Sequence, residues 1–379
     1  MKVLIAMDSF KGSVSSLEAG KAVSQGLSKS GLSSHTEIVP VADGGEGTVE
    51  AFLYKTDGKT MIKKVTGPLG KEVYVKYGIY KETAYIEVAE TSGITLVNKE
   101  ELDPFKATTY GLGELIESLM NSGYRRFIIG LGGSATNDAG IGMLRALGYR
   151  FMTENGSFID ENICELSNLT KIDDSKVSNQ LKECQFIIAS DVNNPLVGKN
   201  GATAVFGPQK GLKKSDVNTL DKLIEKFGVM SSSYLNNDFM MTAGAGAAGG
   251  LGFAFMSYLN AELFSGFDLL AKEKNIINKV KKADMVITGE GRLDAQSVMG
   301  KVPSALAELT KQSNKPLLAI CGSVSDDAGQ CNEHGIDAFF PIIRQIADEE
   351  TILSKSNTLV SLEQAAEQLG RFYQAIKNK

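Results

Sequence analysis

The sequence has few of the residues that staple small or metal-dependent folds together. Its 379 residues include four cysteines, two histidines and no tryptophan. The cysteines form no Cys-x-x-Cys pair, and only His35 and His334 are present to join them, so a zinc site is not expected. Thiols in this number and spacing are typical of a reducing compartment, and the sequence therefore predicts a cytoplasmic protein.

Long apolar runs and an excess of positive charge are also missing. The apolar run in Met1–Asp8 is too short for a secretory signal peptide, and no stretch approaches the ~20 apolar residues of a membrane helix. A formal net charge of -5 argues against nucleic acid or an anionic membrane as a partner. Small anionic ligands stay compatible with the sequence, because local backbone N–H groups and a few lysines decide their binding.

Two catalytic signatures are absent as well. No Gly-x-x-x-x-Gly-Lys-[Ser/Thr] P-loop occurs, which argues against a Walker-type kinase. No Gly-x-Ser-x-Gly nucleophile elbow occurs, and the two histidines are poorly placed for a hydrolase triad.

Short apolar strands alternate with amphipathic helices along much of the chain. Val3–Met7, a helix that stops at Gly31 and a strand over Glu37–Ala42 follow at a spacing that implies parallel pairing. Between Lys59 and Val88 the sequence is β-rich and punctuated by glycine, which indicates antiparallel hairpins.

These patterns, in a chain too long for one comfortable core, predict a two-domain α/β protein. We expect residues 1–64 and 283–379 to form one doubly wound, Rossmann-like domain that is discontinuous in sequence. Residues 65–282 are expected to form an inserted second α/β domain that contains the β-hairpins, with the active-site cleft between the two domains.

The most informative segment is Arg125–Gly140, a buried strand that breaks into a glycine-rich loop and then begins a helix. Its glycines permit a tight turn and a close approach of backbone to a ligand. Thr136, Asn137 and Asp138 are good N-cap residues, and free N–H groups at a helix start attract phosphate. The alternative is a tight structural turn without a ligand. The same order of features returns in Val41–Thr48 and in Val286–Asp294.

Acidic residues follow apolar strands, where open α/β sheets place their sites. The candidates for metal ligand or base are Asp43, Glu46, Asp191, Glu290 and Asp294. Each has an ordinary alternative as a helix N-cap or a loop ion pair. Lysines next to glycine, which can reach a phosphate or a carboxylate or can simply lie on the surface, are Lys11, Lys210 and Lys301.

Two segments also match dinucleotide-binding fingerprints. Gly130-x-Gly132-x-x-Ala135 has Glu154 roughly 20 residues further on, and Gly244-x-Gly246-x-x-Gly249 is the second match. An NAD-dependent oxidoreductase of a small hydroxy acid is therefore an alternative. The flanks argue against it, because the first match runs into Thr-Asn-Asp and the second follows no clear strand.

Seven blocks in order along nearly the whole chain resemble the bacterial glycerate kinase family. They are Asp8–Ser13, Ala42–Thr48, Gly132–Asp138, Asp191–Leu196, Phe206–Gly211, Gly244–Gly250, and Thr288–Asp294 with the following Gly300–Lys301. The resemblance implies a two-domain α/β kinase that uses ATP and Mg²⁺ to phosphorylate D-glycerate, with 2-phosphoglycerate the favoured product. Met7, where the family more often has proline, and Ser297–Met299 are small departures that remove no charged group.

The resemblance and the residue patterns together define a candidate site. We expect Lys or backbone N–H groups to hold the glycerate carboxylate, and the Gly132–Asp138 loop, with Gly244–Gly250 as a second candidate, to cradle nucleotide phosphates. Asp191 or Asp294 would hold Mg²⁺ or take the hydroxyl proton. The candidate catalytic residues are Asp191, Asp294, Lys11 and Glu290; the candidate binding residues are Asp8, Ser9, Asp43, Glu46, Gly132, Gly133, Ser134, Thr136, Asn137, Asp138, Asn193, Lys210, Gly246, Gly249, Arg292 and Lys301.

A kinase of this kind needs small-molecule partners only, namely glycerate and ATP, and a homodimer is compatible with the sequence. A non-catalytic sensor of an organic acid, using the same cleft without turnover, is the remaining alternative.

Overall fold

The computed structural model describes residues 1–32, 34–159, 163–294, 297 and 302–377. Strands and helices alternate along much of the chain. The strands are β1 (Lys2–Met7), β2 (His35–Ile38), β3 (Lys59–Thr66), β4 (Glu72–Tyr80), β5 (Thr83–Glu87), β6 (Arg126–Gly130), β7 (Arg150–Thr153), β8 (Leu169–Asp173), β9 (Gln185–Ala189), β10 (Glu262–Phe264), β11 (Met285–Gly289), β12 (Arg292–Leu293), β13 (Leu317–Cys321), β14 (Ser323–Val324) and β15 (Ala338–Pro341).

The helices range from single turns to 23 residues. They are α1 (Ser16–Lys29), α2 (Thr48–Leu53), α3 (Val88–Ser92), α4 (Tyr110–Asn121), α5 (Ile141–Ala146), α6 (Ala202–Phe206), α7 (Val217–Leu235), α8 (Ala247–Leu259), α9 (Gly266–Glu273), α10 (Ile276–Lys282), α11 (Val302–Gln312), α12 (Gln330–Glu333), α13 (Glu349–Leu353) and α14 (Lys355–Lys377). Within the described residues, none is both long and apolar enough to cross a membrane.

The chain divides into two compact units. The first consists of Met1–Asp43, Glu50–Tyr54 and Gly266–Lys379, and the second of Gly44–Val49 and Lys55–Ser265. The sequence placed the boundaries at 64/65 and 282/283. They lie earlier because β3 pairs with β4 along its whole length and because α9 and α10 pack with α11.

The first unit is built on a parallel sheet with the order β2-β1-β11-β13-β15. Counted within this sheet, the order is 2-1-3-4-5, the flavodoxin type of doubly wound sheet rather than the six-stranded Rossmann order 3-2-1-4-5-6. Val3, Ile5 and Met7 pack on the side of α1 and α14. The alternate residues of β1 point to the opposite face, where α10 contacts the strand. Segments from both ends of the chain therefore contribute strands to one α/β unit.

The second unit has a mixed sheet with the order β10-β9-β6-β5-β4-β3. Strands β5, β6, β9 and β10 are parallel, whereas β3, β4 and β5 are antiparallel neighbours. The predicted hairpins are these antiparallel strands. The carboxyl ends of the four parallel strands share one edge, which carries Glu87, Gly130 and Ala189 in register.

Candidate active site

The switch point of the first sheet lies between β1 and β11. The chain winds from β1 to β2 on one side and from β11 through β13 to β15 on the other. Met7 and Gly289 are register partners at the carboxyl ends of the two central strands, and the Asp8 amide donates to the Gly289 carbonyl at 2.8 Å. Ligand crevices of open α/β sheets form at such a point. Asp8 and Glu290 are thus the first residues beyond the central strands.

A cavity of about 480 Å³ opens at this edge of the first unit. Seven of the predicted site residues line it, namely Asp8, Ser9, Lys11, Asp43, Glu290, Arg292 and Asp294. Distant segments of the sequence, on both sides of the second unit's residues, therefore contribute to one wall.

Three carboxyl groups on that wall share one ammonium group. We call Asp8, Asp43 and Glu290 the acidic cluster. Burial and, next in size, the charge of Asp43 raise the pKa of Asp8 to about 8, although its carboxylate accepts from the Ser9 amide at 2.7 Å. The Lys11 ammonium lies 3.6 Å from the Asp43 carboxylate, which raises the pKa of Lys11. The wall therefore carries an excess of negative charge that favours a bound cation.

Arg292 and Asp294 form a second polar pair on the same wall. Their side chains approach to 4.0 Å. The Asp294 carboxylate also accepts from the Ser297 amide at 3.2 Å, so it has a capping contact as well as a place in the cavity. Lys301, which the sequence joined to this group, lies outside the described residues.

The second unit holds the other predicted residues. Asp191 and Asn193 follow β9, so the two aspartates proposed as alternative metal ligands, Asp191 and Asp294, belong to different units. Glu46 lies in the segment Gly44–Val49. In the same segment, the amides of Gly47 and Val49 donate to the buried Glu87 carboxylate at 3.2 and 2.7 Å. Burial raises the pKa of Glu87 to about 7.

Three backbone amides of the loop after β6 donate to carbonyl groups of other segments of the second unit. Leu131 donates to the Ala189 carbonyl, Gly132 to Gly44, and Ala135 to Ser92. These amides are not available to a phosphate. The role of the Gly132–Asp138 loop as a phosphate cradle stays a prediction, with the Gly132 and Ala135 amides already bonded to carbonyl groups.

Side chains of this loop are also held in place internally. The buried Asp138 carboxylate accepts from the amide and the hydroxyl of Thr109, at 2.9 and 2.8 Å, and from the amides of Gly140 and Gly142. Asn137 donates to the Thr203 hydroxyl at 2.9 Å. Asp138 thus anchors the start of α5, which agrees with the capping alternative.

The buried Lys210 side chain holds the same loop in place by hydrogen bonds. Its ammonium donates to the Ser134 hydroxyl at 2.9 Å and to the Thr136 carbonyl at 2.6 Å, and only 2% of the residue is exposed. Burial lowers the pKa of Lys210 to about 7. The Thr136 hydroxyl is buried without a hydrogen-bond partner among the described residues, so it does not cap α5.

The two glycine-rich segments pack against each other. A Cβ on Gly249 would overlap the Thr136 carbonyl, and one on Gly246 would overlap the Pro195 carbonyl. Gly133, at φ +70°, has its missing Cβ position 3.2 Å from the Ala89 side chain. Close backbone packing accounts for Gly246 and Gly249 without a ligand.

Neither dinucleotide fingerprint has the required context. Gly130–Ala135 follows β6, but α5 begins only at Ile141, and Gly244–Gly249 follows a turn after α7 rather than a strand.

Sequence patterns missed two groups of residues. Glu87 lies at the end of a fully buried strand, as the other candidate acids do. Val88 rather than glycine follows it, so it has no glycine-rich loop to mark it in the sequence. The other group is the apolar wall of the cavity, formed by residues after β15 and in α13 and α14. No local pattern joins those three elements.

Comparison with known proteins gives consistent matches. The model of the glycerate kinase family matches residues 3–374. A glycerate kinase of Bacillus subtilis is 44% identical over 345 residues, covering 90% of each chain, and a glycerate 2-kinase of Escherichia coli is 44% identical over 348 residues, covering 91% of each. A crystal structure assigned to glycerate kinase 2 of Salmonella typhimurium LT2 superposes with a TM-score of 0.86 at 39% identity, covering all of both chains.

Proposed function

The chain belongs to the glycerate kinase family, and we propose that it transfers the γ-phosphoryl group of ATP to the 2-hydroxyl of D-glycerate, giving 2-phosphoglycerate and ADP. The name of the E. coli relative, glycerate 2-kinase, supports the 2-phosphate as product. The geometric observation that carries the proposal is the group of Asp8, Lys11, Asp43 and Glu290 at the switch point of the first sheet. Acid groups with one lysine at such a point suit a metal–phosphate reaction centre.

The acidic cluster fits Mg²⁺. Its donors are carboxylate oxygens. Burial and, next in size, the charge of Asp43 raise the pKa of Asp8, and a bound cation would offset both effects. Among the described residues no three His, Cys, Asp or Glu side chains are grouped to hold a metal ion unaided. Mg²⁺ commonly takes only one or two carboxylates, with phosphate oxygens and water completing its shell. Bound there, it would neutralise charge on the phosphoryl oxygens.

The remaining polar groups are proposed to position the two substrates. Lys11 presents a point charge to the phosphoryl oxygens, which catalysis by electrostatic stabilisation requires. Arg292 holds the glycerate carboxylate, and Asp294 accepts the hydrogen bond of the reacting hydroxyl, which orients it towards the phosphorus. A role for Asp191 as ligand or base stays a prediction, as do the phosphate-binding roles of the second unit's loops.

ADP release tests the function. We expect release that requires both glycerate and ATP, that stops with EDTA and resumes with added Mg²⁺. NMR of the product separates 2- from 3-phosphoglycerate. ADP release that is equally fast without an organic acid, or consumption of NADH in place of ATP, would contradict the proposal. A cytoplasmic location and a homodimer also stay predictions.

A further inference from the structure

The cavity of the first unit has a second wall that the phosphoryl-transfer residues do not use. Its aliphatic part comes from three segments: Ile342 and Ile343 after β15, Leu353 in α13 and Val360 in α14. The same segments add polar side chains, namely Arg344, Gln345, Asn357, Thr358 and Ser361. Ile343, Leu353 and Val360 are 45–51% exposed, so their side chains face the open space rather than the core. We call the four aliphatic residues the aliphatic wall.

The parts of the two proposed substrates need different kinds of cavity surface. Glycerate and a triphosphate are polar throughout and match the acidic cluster with its lysine, not aliphatic side chains. A purine base is the part of those substrates with broad apolar faces. Ligand pockets of about 300–1,000 Å³ are typically apolar with a few polar groups that set orientation. The aliphatic wall is what such a base requires.

Among the polar side chains at this wall, Asn357 carries an amide that suits the edge of a base. Asn357 lines the cavity, and its Nδ2 donates to the Ile352 carbonyl at 3.3 Å. That contact directs the amide nitrogen to the protein, which leaves the amide oxygen as the group suited to a ligand donor. Adenine presents an exocyclic amine, whereas guanine presents a carbonyl oxygen at the corresponding position.

We infer that the aliphatic wall and Asn357 form the subsite for the adenine base of ATP. The inference rests on the proposed kinase function and adds to it the place of the nucleotide: base against α13 and α14, phosphates towards the acidic cluster, all within the first unit. Asn357 makes the subsite selective for adenine over guanine.

Val360→Ala tests the wall. Removing two methyl groups from a contact with the base should raise the KM for ATP about three- to tenfold, while the KM for glycerate is unchanged. Inorganic tripolyphosphate, which lacks a base, should inhibit wild type and variant with equal Ki. Val229→Ala, at an equally exposed valine of α7, is the matched control and should leave both constants alone.

Asn357→Ala tests the reading of the base. The ratio of kcat/KM for ATP to that for GTP should fall at least about fivefold, because a good hydrogen-bonded base contact carries discrimination of this order. A melting curve for each variant confirms that the protein measured is folded.

The outcomes separate the inference from the function beneath it. If the wild-type protein does not phosphorylate glycerate, the kinase proposal fails. If it does, but Val360→Ala keeps the KM for ATP or weakens tripolyphosphate to the same extent as ATP, the base lies elsewhere and the inference is overturned. An unchanged ATP to GTP ratio in Asn357→Ala removes Asn357 from the subsite.

Discussion

At the scale of single residues, Asp294 offers the most direct way to distinguish a catalytic role of a carboxylate from a structural role as a cap. Its carboxylate faces the cavity and also accepts from the Ser297 amide. Asparagine keeps the shape and the capping oxygen but loses the charge. We therefore expect Asp294→Asn to lower kcat at least about a hundredfold, a usual loss for a group that handles a proton, with a melting temperature close to that of wild type.

Steady-state kinetics and a melting curve measure the two effects together. Asp191→Asn, in the second unit, is measured beside it, and the exposed Asp57→Asn is the control for an isosteric loss of charge. If Asp294→Asn keeps its kcat and instead melts several degrees lower, the residue is a cap.

Lys210 gives a residue-scale prediction about pH. Its pKa falls from 10.5 in the reference state to about 7 in the folded protein, with burial as the largest cause and the Asp138 carboxylate acting in the opposite direction. Between those two values the unfolded chain binds more protons than the folded protein, so this group makes stability rise with pH. The free energy of unfolding of the wild type minus that of Lys210→Met should therefore become more positive from pH 7 to pH 9.

Urea unfolding at the two pH values measures that difference. Loss of the hydrogen bonds to Ser134 and Thr136 adds a cost of about 1–3 kcal/mol at both. The exposed Lys199→Met controls for the substitution itself. A difference that shrinks between pH 7 and pH 9 would contradict the lowered pKa.

At the scale of an element, the loop between β6 and α5 can be tested as a turn or as a phosphate cradle. Gly133 has φ +70°, and valine there would be strained and would crowd Ala89. Because the Gly132 and Ala135 amides already donate to protein carbonyls, we expect Gly133→Val to cost about 1–3 kcal/mol of stability and to leave the ATP affinity of the folded protein within about twofold.

Calorimetric ATP binding, read beside the melting curve, decides between the two roles. Gly123→Val, at a glycine with φ +95° and open space around its missing Cβ, shares the backbone strain without the crowding. A well-folded Gly133→Val that binds ATP many-fold more weakly would return this loop to the role of a phosphate cradle.

The same loop shows where prediction from sequence ends. Runs such as Val3–Met7 identify buried strands, and acids just after them mark the edge where ligands bind, because both signals are local. The amide partners of the loop come from Gly44, Ser92 and Ala189, which no spacing rule connects to it. For the same reason the strand Glu37–Ala42 was predicted longer than β2, which ends at Ile38. Long-range partners decide what a glycine-rich loop does.

At the scale of the whole molecule, substrate binding should raise the free energy of unfolding. Ligand that binds only the folded protein adds about 2.7 kcal/mol at 100 times its Kd. We expect saturating Mg²⁺ with a non-hydrolysable ATP analogue to raise the melting temperature by several degrees, and EDTA to remove most of the gain because the acidic cluster is then left uncompensated.

Differential scanning calorimetry of the full chain measures that shift. Mg²⁺ without nucleotide and nucleotide without Mg²⁺ are the controls. A gain of the same size with the nucleotide alone would argue against the cation in the proposed site.

The pairing of β1 with β11 has a consequence for how the protein is made. Register partners such as Val3 and Met285 are 282 positions apart in the sequence. Their strands, β1 and β11, are nevertheless neighbours in the interior of one sheet. At about 5–20 residues per second, a ribosome takes tens of seconds to produce the second strand after the first. During that time Val3–Met7, which ends up almost wholly buried, has no permanent neighbour on that side and is open to association with other nascent chains. The first unit can therefore complete its central sheet only after the residues of the second unit have been synthesised.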